Sequence, residues 1–510
     1  MRAVDRDAID VRGIPARTLM ENAGRAVAEA ALQRFGVPRR PLIAAGPGNN
    51  GGDGYVIARV LRERDPRVRP AVFALGRPER HSPEARENLD LLASEGIEVV
   101  LGGDPKDLEP LLAAADLVVD ALFGVGLDRR LEGLPGEVLA ALAAAQAPLL
   151  AVDVPSGISS DSGALLGAEL SPQLIVTLGL PKLGLLLRPA RCDIWVADIG
   201  LPPASLDAIG IGQHAWTGSS AAARRPLRPA AAHKGSFGHV LIAAGSEGKT
   251  GAAALAAEGA LRAGAGLVTL AVPRGVHAIL EVKTTEAMTL PLDDAEGASL
   301  AASAGPRLLT EAQARDALVV GPGLGTREGT VQAVRWLLER YTGPAVVDAD
   351  ALNAFAGRPE ALRGPGPRVL TPHPGEMARL LGRTSAQVEA DRVGAVRELA
   401  ARSGAVSLLK GARTLIAEPG GQLRINSTGG PGLASGGSGD VLAGVLGALL
   451  GQGLEPFEAA ALAAYLHGRA GELRPIGLLA HEMAAELPRV WMALGTEAEG
   501  DVCPGLRRFC

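Results

Sequence analysis

Two glycine-rich runs, each read as a loop carrying an aspartate, hold the residues best suited to chemistry. The first is Gly46-Pro-Gly-Asn-Asn-Gly-Gly-Asp-Gly54, after the apolar Leu42–Ala45 and before the helix-like Val56–Leu61. Asn49, Asn50 and Asp53 put side-chain oxygens beside the amides of Gly51 and Gly52, a combination suited to cradling a phosphate or a sugar. It is neither a P-loop nor Gly-x-Gly-x-x-Gly, so neither of those mechanisms transfers. The second run is Thr428-Gly-Gly-Pro-Gly-Leu-Ala-Ser-Gly-Gly-Ser-Gly-Asp440, which leads into the helix-spaced Val441–Leu450. Its amides, Gly439 among them, can form an anion hole at a helix start. Asp440 is then placed to take a proton from a substrate hydroxyl beside a transferred phosphoryl group. Two such runs predict two nucleotide-type sites.

Other candidates cluster at strand ends. Asp120 closes an apolar strand, where a carboxylate needs compensation. Asp153 and Ser156 follow the next strand, and Asn50, Asp120 and Ser156 together can hold a hard cation through oxygen. Gly124-Val-Gly126 and Gly321-Pro-Gly-Leu-Gly325 allow close approach of a ligand. His373 and Glu376 lie in Thr371-Pro-His-Pro-Gly-Glu376, and Lys410-Gly-Ala-Arg-Thr414 sets a cation beside glycine. Val347-Asp-Ala-Asp350 offers carboxylates to hold a metal or to cap Ala351–Phe355. Arginine outnumbers lysine 45 to 6, so surviving lysines stand out, and Lys182, Lys234 and Lys410 lie in motif-like contexts.

The elements that must position these residues alternate short apolar strands with helices. Leu42–Ala45, Val68–Leu75, Ile97–Leu101, Leu117–Ala121, Leu149–Val154 and Ile175–Leu178 form a first series. His239–Ala244, Leu267–Val272, Ala317–Val320, Ala345–Val347, Arg368–Leu370 and Val406–Leu409 form a second. Near-continuous apolar strands predict parallel sheets covered on both faces, with ligands beyond their carboxyl ends. Helices are expected at Val441–Leu450, Pro456–Leu473 and Leu478–Ala493. The fold class is α/β in two domains, with residues 209–224 as a linker and 498–510 as a frayed tail.

The bulk numbers exclude several classes. A chain of 510 residues with 47% hydrophobic content can bury sizeable cores. A net charge of −5 without a basic block argues against nucleic acid. Cys192, Cys503 and Cys510 are too few for a disulfide framework, and a cytoplasmic location is expected. No apolar run is long enough for a membrane span, and a charged N-terminus does not resemble a signal peptide.

Glu21-Asn22-Ala23-Gly24, Gly48–Arg59, Asp120–Gly126 and Val152–Gly157 resemble the NAD(P)H-hydrate epimerase family over about residues 1–205. The resemblance implies a Rossmann-like three-layer sandwich over 1–208. It implies that Asn49, Asn50, Gly51, Gly52 and Asp53, with Gly124, Val125, Gly126, Leu127, Asp128, Arg129 and Arg130, hold the hydrated nucleotide. Potassium would map to Asn50, Asp120 and Ser156, and the nicotinamide-side contact to Asp153.

His233–His239, Ala244–Ser246, Leu370–Glu376 and Asn426–Asp440 are similar to the ADP-dependent NAD(P)H-hydrate dehydratase family, a branch of the ribokinase-like fold, over 225–497. Carried over, the substrate touches Ala252, Gly323, His373 and Asp440. The adenine nucleotide touches Lys410, Gly411, Ala412, Arg413, Thr414 and Gly439, with magnesium accompanying ADP. Phe237 stands where a tyrosine is common. Together these imply repair of NADHX and NADPHX: Asp153 serving an epimerase, Asp440 a dehydratase, and a homo-oligomeric state. The alternatives are a ribokinase-like vitamin-precursor kinase using ATP, and a non-catalytic N-terminal binding module.

Overall fold

Leu42 and Ala44 of one short strand face one apolar core, while Ile43 and Ala45 face another. The same alternation in neighbouring strands makes a sheet with helices on both sides, because a strand buried on both faces can only sit in a middle layer. The computed structural model describes residues 1–102, 104–188, 192–494, 501–503 and 506–508. It divides into two compact units, 1–211 with 499–510, and 212–498.

In the first unit the strands are β1 (Pro41–Ala45), β2 (Ala71–Ala74), β3 (Glu98–Leu101), β4 (Leu117–Ala121), β5 (Leu149–Val152), β6 (Leu174–Leu178) and β7 (Asp193–Ala197). Their order is β3-β2-β1-β4-β5-β6-β7, all parallel. The order reverses between β1 and β4, which opens a crevice at their carboxyl ends. Helix Ala16–Phe35 buries Met20, Ala23, Val27 and Ala31 against one face, together with helix Asn49–Arg64. Helix Leu134–Ala143 buries Val138, Leu139 and Leu142 against the other.

In the second unit the strands are β8 (Gln213–Trp216), β9 (His239–Ala243), β10 (Leu267–Pro273), β11 (Met288–Leu292), β12 (Asp294–Ala295), β13 (Ser299–Leu300), β14 (Ala317–Val320), β15 (Ala345–Val347), β16 (Arg368–Leu370), β17 (Val406–Leu409), β18 (Leu415–Ala417) and β19 (Leu423–Asn426). The main sheet runs β11-β10-β9-β14-β15-β16-β17-β18-β19-β8, with β18 antiparallel to both its neighbours. Its reversal lies between β9 and β14. Helices Ser438–Gly451, Pro456–Glu472 and Ala480–Ala493 cover Val240, Ile242, Val319 and Val346 on one face.

Three expectations need correction. The stretch 209–224 is not slack chain: Gln213–Trp216 pairs with β19, and Gly218–Ala223 is helical. Trp216 and Ala221 enter the core there, which the surrounding Pro, Ser and Arg hide from a composition reading. The tail is not frayed where it is described. Asp501–Cys503 (β20) and Leu506–Arg508 (β21) form a hairpin, and β21 pairs antiparallel with β7 while Leu506 is buried. Residues 498–500, 504–505 and 509–510 of the expected tail include positions outside the described residues. Finally, Asn49–Asp53 and Ser438–Asp440 are first helical turns rather than loops; only the residues just before them turn.

Candidate functional sites

The first site gathers around a cleft of about 1220 Å³ at the carboxyl ends of β1, β4 and β5. Asn49, Asn50, Asp53, Asp153 and the whole segment Gly124–Arg130 line it. Helix Asn49–Arg64 starts there because Gly48 supplies an extended N-cap, leaving the first-turn amides toward the cleft. The glycines behind it serve packing. A Cβ on Gly51 would meet Gly46 O at 1.8 Å, and one on Gly52 would meet Met20 Cε at 2.5 Å. Gly51 and Gly52 are buried, and neither is among the residues lining the cleft.

Asp153 has a left-handed backbone, φ 67°, rare for a residue with a side chain and characteristic of functional sites. Its Oδ1 accepts from Lys182 Nζ, from Leu178 N–H at 3.1 Å and from Thr177 Oγ1 at 3.3 Å. Lys182 is buried and also donates to Leu178 O at 2.6 Å. The scarcity of lysine flagged this residue in the sequence; its partner emerges only from the fold. A Cβ on Gly124 would stand 2.9 Å from Asn50 Oδ1 and 3.2 Å from Asp153 Oδ2, so the glycine separates the two. Asp5, from the N-terminal helix Arg2–Arg6, lines the same cleft and was not singled out in the sequence. Burial raises the pKa of Asp5, and Lys182 opposes that rise.

Asp120 is fully buried. Ser156 Oγ donates to its Oδ1 at 2.6 Å, Leu122 N–H to the same oxygen at 3.2 Å, and Ser156 N–H to Oδ2 at 2.7 Å. Burial lifts its pKa to about 6, because these hydrogen bonds only partly offset the loss of solvent. Asn50 Nδ2 is buried with no acceptor among the described residues.

The second site forms at the carboxyl ends of β14 to β17. Helix Ser438–Gly451 begins at Gly437, whose φ of 92° only glycine adopts readily, and whose Cβ would meet Leu255 Cδ1 at 2.5 Å. His467 Nε2 holds Ser438 O at 2.8 Å, and burial lowers its pKa to about 4, so it is a neutral strut. Asp440 sits in the first turn. Burial raises its pKa to about 7, with the charge of Asp348 adding and that of Lys410 opposing.

Lys410 Nζ lies 2.9 Å from Asp348 Oδ1 and 3.8 Å from Glu376 Oε2. Burial works against its charge, but Asp348 and Glu376 prevail and hold its pKa above the usual value. Asp348 also accepts from Thr371 Oγ1 at 2.7 Å. Asp350 takes Lys249 Nζ at 3.0 Å and Gly325 N–H at 2.8 Å. The Asp348/Asp350 pair therefore matches neither reading from sequence: each carboxylate answers a lysine. No cluster of three or more His, Cys, Asp or Glu suited to a metal occurs among the described residues.

His373 caps helix Pro374–Leu381: its Nδ1 accepts from Gly375 N–H at 2.9 Å, and Glu376 Oε2 accepts from His373 N–H at 2.8 Å. Its Nε2 is left facing Glu376 Oε1 at 3.4 Å. Ala252 and Gly323 do meet, since a Cβ on Gly323 would stand 2.9 Å from Ala252 Cβ. The turn Gly411–Thr414 is held by Arg392, which donates to Ala412 O at 2.5 Å and was not anticipated. Arg413, at φ 55°, spends its guanidinium on Ser427 O. Phe237 stacks under Arg228 at 4.0 Å, so its ring acts through its face.

Comparison with known proteins covers both units. A family model described as NAD(P)H-hydrate dehydratase matches residues 240–488, and one described as YjeF-related protein N-terminus matches 16–184. The chain is 46% identical to the bifunctional NAD(P)H-hydrate repair enzyme Nnr of Moorella thermoacetica, covering 100% of this chain and 98% of that one. It is 37% identical to the protein of the same name from Thermofilum pendens, covering 98% and 96%. Among solved structures, the ADP/ATP-dependent NAD(P)H-hydrate dehydratase of Bacillus subtilis, co-crystallised with ATP and magnesium, is 34% identical. That match covers 55% of this chain and 98% of that one, with a TM-score of 0.48.

Proposed function

The chain belongs to the family of bifunctional NAD(P)H-hydrate repair enzymes, and from that premise we propose which residues perform each half of the repair. The first unit, residues 1–208 with the returning tail, interconverts the two epimers of NAD(P)H hydrated at C6. The second, within 212–497, dehydrates the S epimer at the expense of ADP.

In the first unit the substrate occupies the cleft bounded by Asn49, Asn50, Asp53 and Gly124–Arg130, with Gly51 and Gly52 packed behind it. Loss of the C6 hydroxyl leaves an iminium-like ring, and water re-adds to either face. The observation supporting this is the Asp153–Lys182 pair: a carboxylate fixed by three donors, with Oδ2 turned toward Gly124, balances a ring cation. Potassium would be held by Asp120, Ser156 and Asn50. These residues fit a hard monovalent cation, because Asp120 is buried with no cationic side chain beside it among the described residues. The ion would supply the missing positive charge.

In the second unit Asp440 takes the proton of the C6 hydroxyl, whose oxygen attacks the terminal phosphoryl of ADP and releases AMP. The ring nitrogen then expels phosphate, and loss of a C5 proton restores the dihydropyridine. Hydroxide leaves poorly and phosphate well, which is the reason for the detour. Supporting this is Asp440 in the first turn of a glycine-started helix, near neutrality in pKa and within the field of Lys410. Lys410–Thr414 and Gly439 would hold the nucleotide; Ala252, Gly323 and His373 the substrate. Magnesium would enter with ADP on its phosphate oxygens, since Asp348 and Glu376 already answer Lys410.

Self-association through the exposed Ile279, Val282 and Met288 is part of the proposal, and sedimentation tests it. So is a cytoplasmic location. Among the described residues no helix is long and apolar enough to cross a membrane. The deciding experiment gives the chain racemic NADPH hydrate and ADP and follows dihydropyridine absorbance. Full recovery is expected; recovery stopping near half would remove the epimerase.

A further inference from the structure

Asp153 holds a buried lysine at its Oδ1, which suits it to counter-charge. Its Oδ1 already accepts from Lys182 Nζ, Leu178 N–H and Thr177 Oγ1, an arrangement that requires an acceptor. Epimerisation still needs an acid, because hydroxide is a poor leaving group until it is protonated.

Asp53 is free for that task. Its side chain lines the cleft, yet the residue is only 7% exposed. Its carboxyl has no hydrogen-bond partner among the described residues. Burial without a donor shifts a carboxyl toward its neutral form, which carries a proton to give. Burial raises its pKa well above the ordinary value; the negative charges of Asp153 and Asp5 add to the effect, and Lys182 opposes it. Arg2, Arg6, Glu84, Asp128, Arg129, Arg130 and Glu132 are the other charged residues lining the cleft.

Resting on the epimerase reading, we infer that Asp53 is the acid that protonates the departing C6 hydroxyl and takes the proton back from returning water. In the forward step the C6–O bond breaks and its electron pair stays on oxygen. The Asp53 proton completes a water molecule, and the N1 lone pair forms the N1=C6 bond. In the return step water adds to C6, the π pair goes back to N1, and Asp53 recovers its proton. Asp153 stays charged throughout beside the ring cation. No oxidant or co-reactant is consumed.

The test uses the full chain without nucleotide, starting from one purified epimer of NADPH hydrate in ¹⁸O-water. Wild type interconverts the epimers with ¹⁸O entering C6 in step. Asp53→Asn lowers kcat by at least roughly a hundredfold with KM within about threefold. In Asp53→Ala, added formate raises turnover at least roughly tenfold, because a small acid reaches the space the side chain leaves. An Asp53→Asn chain that keeps wild-type kcat, or loses only affinity, overturns the assignment, as does an Asp53→Ala chain indifferent to formate. A wild-type chain that leaves the epimers unchanged would overturn the epimerase reading instead.

Discussion

The ammonium of Lys410 lies 3.5 Å from where a Cβ would stand on Gly439. A lysine at the end of β17 therefore faces the first turn of the helix that Gly437 starts. Amide donors and a full positive charge meet at one point, which is where a phosphoryl group gathering negative charge would gain most.

That point should be open to a single methyl group. Gly439 is helical and a Cβ there meets only ordinary contacts, so Gly439→Ala should fold, with up to about 1 kcal/mol gained from helix propensity. Its affinity for ADP should fall at least roughly tenfold, about 1.4 kcal/mol, measured by calorimetry. Unchanged ADP affinity would show that phosphate does not rest there.

Dehydration should depend on pH through Asp440. The active form is the carboxylate, and its pKa is raised to about 7, so the rate should climb with pH and level off above 7. Below 7 it should fall about tenfold per unit. Asp440→Asn should abolish dehydration by roughly 10²–10⁴-fold and leave epimerisation intact. Loss of both activities would break the division between units.

Asp120 predicts a potassium-dependent melting temperature. Its folded pKa, about 6, exceeds the model-compound value of 3.8, so the folded state binds the extra proton between those limits. Its contribution to stability is therefore highest at low pH and is lost as pH rises from about 4 to 6. Potassium should relieve that loss, by about 2.7 kcal/mol at a hundredfold excess over Kd. The gain should be larger at pH 7.5 than at pH 5 and absent in Asp120→Asn. Equal melting in potassium and choline salts would rule the ion out.

A chain ending at residue 498 should lose β21 and the burial of Leu506, worth about 1.5–3 kcal/mol for the side chain alone. Epimerisation should become heat-labile, while dehydration of the pure S epimer persists. Equal thermal inactivation of epimerase in the two chains would make the hairpin dispensable.

The sequence was most legible where burial is complete. Ala317–Val320 and Ala345–Val347 are strands to the residue, because parallel central strands are unbroken apolar runs. Leu423–Asn426 and Gln213–Trp216 were missed because polar or charged residues break their apolar pattern, and Asp193–Ala197 was missed although only its first residue is charged. Candidate residues were legible where a motif concentrates them, as at Asn49–Asp53. The partners that set their chemistry were not: Lys182 lies 29 positions from Asp153, and Asp348 lies 62 from Lys410. Arg392 and Asp5 carry no local signature at all, since one ties down a turn and the other gains meaning only from the cleft it enters.

The hairpin at the end of the chain also bears on biosynthesis. Leu506 joins the sheet beside Ala197, roughly 300 residues after that strand leaves the ribosome, which at ordinary elongation rates is on the order of tens of seconds. The unit made first is thus the last to be completed, with β7 an open edge for the whole interval. A message truncated before the codons for this hairpin would yield a finished dehydratase tethered to an unfinished epimerase.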